Sequence, residues 1–385
     1  MAFAVSAKCF LREVVGRVEI YLVEMIYMLN IGPFITAFLI SLIGIPPIIW
    51  FANKNGIVDK PNGRKVHKKP VPLLGGMAIF VAFTVSLLIF IGFNIKTISI
   101  VFCSIILVSL GLVDDIYDIE AKKKLIVQIC CAVITVVSGI KVNVGEYITE
   151  NIYMAFMIDS FISICWIIGI INAVNLIDGL DGLAGGVSII ASVAFMIVLK
   201  KKGLDGMGYI IALSLAGSIL GFLFYNFYPA KIFMGDMGST FIGFLLAVLG
   251  IASLDVPSNP ASIFAPIIIL AVPIFDTGLA IVRRMMRKQP IFNADKNHLH
   301  HCILEKGFTQ KQTVAIIYVF ALLVALIGVV VTKGGHFYLG LTVVVFFIIL
   351  GILVNLIGPF KIKDVFGKTY HEISFTKDEN IHFDS

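Results

Sequence analysis

Asn172-Ala-Val-Asn175-Leu-Ile-Asp178-Gly-Leu-Asp181-Gly-Leu-Ala-Gly-Gly186 sets two asparagines and two aspartates among glycines. Its surroundings are overwhelmingly apolar: the 385-residue chain is 59% hydrophobic and only 14% charged, with a mean hydropathy of +1.00. No single soluble core hides that much apolar surface, so the chain reads as an integral membrane protein. An Asp at the centre of a bilayer costs roughly 2.5–3.5 kcal/mol, so Asp178 and Asp181 belong at the membrane edge, beside positive charge, or both.

Outward from this segment, apolar runs long enough to span a bilayer recur along almost the whole chain. They begin near residues 32, 74, 97, 124, 155, 184, 207, 238, 261, 312 and 337. β-Barrel strands would be short and alternating, whereas these are continuous. The expected fold is all-α: a polytopic integral membrane protein with about eleven transmembrane helices. Residues 31–360 would form the transmembrane domain and 361–385 a polar cytoplasmic tail. Residues 1–30 lack a clean apolar signal region and cleavage site, and Met25 and Met28 immediately precede the first span, so this extension is expected to be dispensable.

Most of the 30 Lys and Arg fall on one side if the first span runs from outside to inside. The positive-inside bias then puts Lys54–Lys69, Asp114–Lys124, Asp178–Asp181, Lys231–Gly238, Arg283–Lys311 and the tail in the cytoplasm. Lys200, Lys201 and Lys202 are the exception. A net charge of +6 concentrated on one face suits anionic headgroups and phosphorylated substrates. No basic segment carries interleaved aromatics, so nucleic acid is not an expected partner. The six cysteines show no C-x-x-C spacing and read as reduced packing residues.

Apart from the lysine run, the dense polar clusters all land on the cytoplasmic side. Asp114, Asp115 and Asp118 end the third span, with Asp114 and Asp118 on one face if the helix continues and Lys122–Lys124 following; a solvated helix end would explain them equally well. Asn172, Asn175 and Asp178 form a stripe at i, i+3, i+6, and Asp181 follows through a glycine turn. Gly235-Asp236-Met-Gly238-Ser239 opens the eighth span, where Asp236 is either a helix cap or an oxygen ligand for a divalent cation. His298-Leu-His300-His301 follows Arg283, Arg284 and Arg287; adjacent histidines suit one zinc ion poorly and suit a diphosphate or sugar better. Asp276 lies within the ninth span and is expected to face the bundle. In the first cytoplasmic loop, Pro and Gly spacing suggests a shaped turn holding Arg64, Lys65 and His67 over an anion.

These motifs, in this order, resemble the polyprenyl-phosphate N-acetylhexosamine-1-phosphate transferases, and the match runs from residue 59 to about 312. The His-x-His-His form and the Arg64-Lys65-x-His67 loop are similar to the bacterial branch that makes undecaprenyl-diphosphate-GlcNAc, although Cys302 stands where that branch is expected to have a basic residue. The resemblance implies an enzyme of the bacterial cytoplasmic membrane that works among membrane lipids, with a cytoplasmic-side active site. Undecaprenyl phosphate would attack the β-phosphorus of a UDP-N-acetylhexosamine, releasing UMP and initiating a cell-envelope glycan. It further implies Mg²⁺, with Mn²⁺ an alternative, held by Asp236 with Asn175. Asn172, Asp178 and Asp181 would hold nucleotide or the metal's outer shell; Arg64, Lys65, His67, His298, His300 and His301 would bind substrate. Asp114 and Asp115 would be the catalytic base or nucleophile. A phosphate monoester, with a second pKa of about 6, needs little help from an Asp to ionise, which favours direct displacement over a covalent intermediate. A homodimer is left open.

Three alternatives remain at this point. A phospho-N-acetylmuramoyl-pentapeptide transferase of peptidoglycan synthesis shares the chemistry but tends to carry three consecutive histidines. A secondary transporter would place its polar residues near the midplane, in related halves. An intramembrane aspartyl protease would need Gly where Phe233 stands.

Overall fold

The computed structural model describes residues 31–59, 70–201, 206–254, 260–286 and 298–332. Within them the helices are α1 (Gly32–Asn55), α2 (Gly75–Ile91), α3 (Ile95–Tyr117), α4 (Ala121–Val137), α5 (Ile152–Ile177) and α6 (Leu183–Lys201). They continue as α7 (Met207–Asn226), α8 (Gly235–Ala252), α9 (Phe264–Ile269), α10 (Ala271–Met286), α11 (Leu299–Glu305) and α12 (Gln310–Val331). A single two-residue ladder pairs β1 (Val58–Asp59) with β2 (Val71–Pro72), antiparallel, with Val58 opposite Pro72. Seven helices, α1, α3, α5, α6, α7, α8 and α12, are long and apolar enough to cross a membrane, so the protein is an all-α, multi-pass membrane protein as expected.

Each expected span from residue 32 to residue 312, except the one from 261, coincides with a described helix. The span near 337, the 1–30 extension and the 361–385 tail lie outside the described residues. Two expectations change. The run from 261 is not one span: a 3₁₀ turn (Pro260–Ile263) leads into α9, whose cap is Leu270, and α10 starts anew. Pro273 has no N–H to offer the Ile269 carbonyl, so α9 stops at Ile269 and α10 starts two residues before the proline. α4 is also shorter than a full span, with three lysines in its first turn.

Local sequence explains the boundaries. Asn94 caps α3 by accepting from Thr97 N at 3.0 Å, Asn151 caps α5 through Tyr153 N, and Thr309 with Gln312 forms a reciprocal capping box on α12. α1 ends on Gly56, whose φ of +71° is the left-handed stop that glycine provides.

The core sits around α8, buried almost continuously from Met237 to Ile251. Close approach depends on small residues, as is usual where no hydrophobic force drives helices together in lipid. Gly111 of α3 lies against the Asp236–Met237 backbone, Gly76 of α2 meets Gly238, and Gly243 faces Ile170 and Ile171 of α5. α8 is thus the axis on which α2, α3 and α5 converge, and its polar first turn lies at one end of the bundle.

Candidate active site

The site begins with the first turn of α8. A helix start leaves backbone N–H groups without partners, and Met234, at the cap position, offers no side-chain acceptor. The acceptor comes from α3: Asp115 takes the Asp236 N–H at 2.9 Å and the Met237 N–H at 3.5 Å. Gly235, at φ +68°, leaves room for that carboxylate, which a Cβ there would strike. The capping role that the sequence allowed for Asp236 therefore belongs to Asp115, and the Asp236 side chain is left for other partners.

One such partner is Lys124, whose Nζ lies 3.2 Å from Asp236 Oδ2 and pairs closely with Asp114 Oδ2. Asp114 is buried, and its other oxygen accepts the Ile119 N–H at 2.7 Å. α3 stops at Tyr117 and Asp118 takes a left-handed φ of +53°, so the condition for a shared face is not met and Asp118 turns away from Asp114 along a non-helical path. Of the lysines that follow this cluster in sequence, Lys124 compensates it, bridging α3 and α8.

α5 brings the opening segment to the same place. Asn175 donates to Ser239 Oγ of α8 at 2.9 Å. Asn172, one turn earlier, spends its amide on Gln128 of α4 and on Ile168 O, both at 2.8 Å, and so ties helices together. Asp178 ends α5. By surface area it is half-buried, yet desolvation, and then the carboxylates of Asp236, Asp115 and Asp181, push it up to about 8. Asp181 accepts the Ala230 N–H at 2.9 Å. Gly182, which follows Asp181, is held from two helices. Asn226 of α7 accepts from Gly182 N at 2.9 Å and donates to Ile232 O, while Tyr318 of α12 donates to Gly182 O at 2.6 Å.

The flank of the first loop also reaches the segment that leads into α8. Phe233 N donates to Pro72 O at 2.8 Å, and Gly75 N donates back to Phe233 O at 2.9 Å. Arg64, Lys65 and His67 lie outside the described residues. On the far side, His298 Nδ1 sits 2.9 Å from Asp276 Oδ2, and Asp276 Oδ1 accepts the Leu299 N–H at 2.7 Å. The His298 and His300 rings stack with centroids 5.9 Å apart, and His301 lies 4.2 Å beyond. The His300 ring fills the space a side chain at Gly179 would need. Burial, ahead of its charged neighbours, lowers His300 to about 4, so it stays neutral at pH 7.

The structure thus gathers Asp114, Asp115, Asn175, Asp178, Asp181 and Asp236 at one end of the bundle, with the histidines packed behind the Asp178 loop. Sequence reasoning assigned no role to Asn226, Ser239 or Tyr318 and gave Lys124 only a compensating one. Asn226 carried a faint signal, a lone amide at the end of an apolar run; Tyr318 carried none. Among the described residues no three His, Cys, Asp or Glu side chains meet at one metal position. What the cluster offers is a set of hard oxygen donors with more negative charge than Lys124 offsets. Such a site suits a divalent cation that takes one or two protein carboxylates and fills its remaining positions with water and phosphate oxygens.

Residues 97–254 match the family described as glycosyl transferase family 4. The chain is 40% identical over 324 residues to a probable undecaprenyl-phosphate N-acetylglucosaminyl 1-phosphate transferase of Bacillus subtilis, covering 82% of this chain and 89% of that protein. It is 33% identical to the decaprenyl-phosphate N-acetylglucosaminephosphotransferase of Mycobacterium tuberculosis (76% and 80% covered). To the undecaprenyl-phosphate alpha-N-acetylglucosaminyl 1-phosphate transferase of Escherichia coli K12 it is 31% identical (74% and 79% covered).

Proposed function

Because this chain belongs to glycosyl transferase family 4, among the polyprenyl-phosphate N-acetylglucosamine-1-phosphate transferases, we propose that it transfers GlcNAc-1-phosphate from UDP-GlcNAc to undecaprenyl phosphate. The work is done at the cytoplasmic end of the bundle, in the cytoplasmic membrane. The observation that carries this reading is the gathering of four carboxylates at the start of a buried helix: Asp114 and Asp236 share Lys124, Asp115 caps the helix, and Asp178 lies within electrostatic reach of Asp236 and Asp115.

The chemistry is one displacement. A phosphate oxygen of the lipid bonds to the β-phosphorus of the nucleotide sugar. The bond from that phosphorus to the bridging oxygen breaks, and UMP leaves with the bridging oxygen. The acceptor, with a second pKa of about 6, is largely dianionic at neutral pH and brings its own nucleophile. Asp115 spends both oxygens on the α8 backbone, which supports a positioning role over a covalent one. Asp236, with Asn175 beside it, would hold Mg²⁺, and bound Mg²⁺ would supply charge neutralisation on the diphosphate. Lys124 orients the Asp236 carboxylate and pairs with Asp114. Asp178 and Asp181, on the glycine turn, would face the nucleotide, with Arg64, Lys65, His67, His298 and His301 completing the substrate-binding set, while Asn172 and His300 would support it from behind.

The test is a substrate panel. Purified protein with undecaprenyl phosphate is offered UDP-GlcNAc, UDP-GalNAc and UDP-MurNAc-pentapeptide separately. UMP should appear with UDP-GlcNAc; turnover with the pentapeptide substrate alone would move the chain to the peptidoglycan branch.

A further inference from the structure

Asp276 has no part in the displacement above, yet it is one of the most enclosed carboxylates described, 3% exposed on α10. Ile177, Leu183, Val272, Leu299 and Ile317 line the space beside it and His300. A carboxylate in apolar surroundings needs both oxygens satisfied, and here both are: Oδ2 by His298 Nδ1 at 2.9 Å and Oδ1 by the Leu299 N–H at 2.7 Å. It cannot touch substrate from there. It can determine how the histidines meet it.

We propose that Asp276 is the positioning residue of the histidine cluster: it holds His298 with Nδ1 as the donor and leaves Nε2 as the nitrogen that meets the diphosphate. With Oδ2 as the acceptor, the His298 Nδ1 carries the proton of that bond. Nε2 is then the nitrogen left for a hydrogen bond outside the pair. The second oxygen fixes the start of α11, which carries the His300 ring against Gly179, next to Asp178. A single buried group thereby sets the orientation of His298 and braces the loop that bears Asp178.

This inference rests on the proposed transferase reading, so the experiment separates the two. UMP release is measured for the wild type, Asp276→Asn, His298→Ala and the double variant. Asn keeps the size and an acceptor for Leu299 N, but its NH₂ group can present a donor to Nδ1 and favour the other tautomer. Asp276→Asn should lose about 10²-fold in kcat with little change in melting temperature. In the double variant the Asp276 change should cost nothing beyond His298→Ala, because a residue that acts through another has no effect once that other is gone. Additive losses, or an Asp276→Asn enzyme of wild-type kcat, would overturn the proposal. Histidine ¹⁵N spectra of the wild type provide a check that needs no variant: His298 should carry its proton on Nδ1, and an Nε2-only tautomer would refute the assignment. A wild type that releases no UMP would sink the functional reading, while the spectrum would still decide the tautomer.

Discussion

Lys124→Met removes the cation shared by Asp114 and Asp236. The Asp114 side chain is 6% exposed, that of Lys124 26% and that of Asp236 33%, so the charges are largely but not wholly out of water. Stripping one member from a buried pair costs about 3–5 kcal/mol, and partial wetting places this case at the lower end, about 3 kcal/mol. The penalty comes from the stranded carboxylate, so neutralising it should return part of the loss. Asp114→Asn/Lys124→Met should be about 1–3 kcal/mol more stable than Lys124→Met alone, and still inactive. Thermal unfolding in detergent reads this through Trp166, whose indole N–H donates to Ala247 O at 3.0 Å across the α5–α8 contact. Mg²⁺ should raise the melting temperature of Lys124→Met more than that of the wild type, since a cation replaces the missing charge. A double variant no more stable than the single one would refute the reasoning.

Asn175→Ala should impair Mg²⁺-dependent turnover by about 10–100-fold, at least as severely as Asp178→Ala; the reverse order in steady-state rates would show the roles wrongly divided. Direct displacement predicts that labelled UDP-GlcNAc without lipid acceptor leaves no label on the protein, and a trapped phospho-enzyme would contradict it. His300, lowered to about 4, refuses a proton that the unfolded chain takes up near 6.5. Stability therefore falls with pH below about 6.5, by about 2 kcal/mol between pH 7 and pH 5. His300→Gln should flatten that slope in pH-dependent melting; an unchanged slope would remove His300 as its source.

Much of this molecule is legible in its sequence because lipid imposes simple rules. Apolar length gave the spans, and the rarity of acids inside lipid singled out Asp114, Asp115, Asp178, Asp181 and Asp236. What escaped depends on contacts between helices. Nothing local to Asp115 says that its carboxylate caps a helix that starts 120 residues later, because the partner is backbone. The left-handed stop at Asp118 and the break at Leu270 are decided by tertiary packing and by Pro273, against apolar runs that continue through them. His300 resembled its neighbours in sequence, and only packing against Gly179 makes it a buried neutral wedge. Tyr318 is one aromatic in an apolar helix until its hydroxyl is seen on Gly182 O.

The most direct test of the account is UMP release by the purified protein from UDP-GlcNAc, with and without undecaprenyl phosphate and Mg²⁺, in the wild type and in Asp236→Asn. The account predicts one UMP per lipid-linked GlcNAc formed, dependent on both lipid and Mg²⁺ and lost in Asp236→Asn. UMP release that is independent of the lipid, or an Asp236→Asn enzyme of undiminished rate, would contradict it.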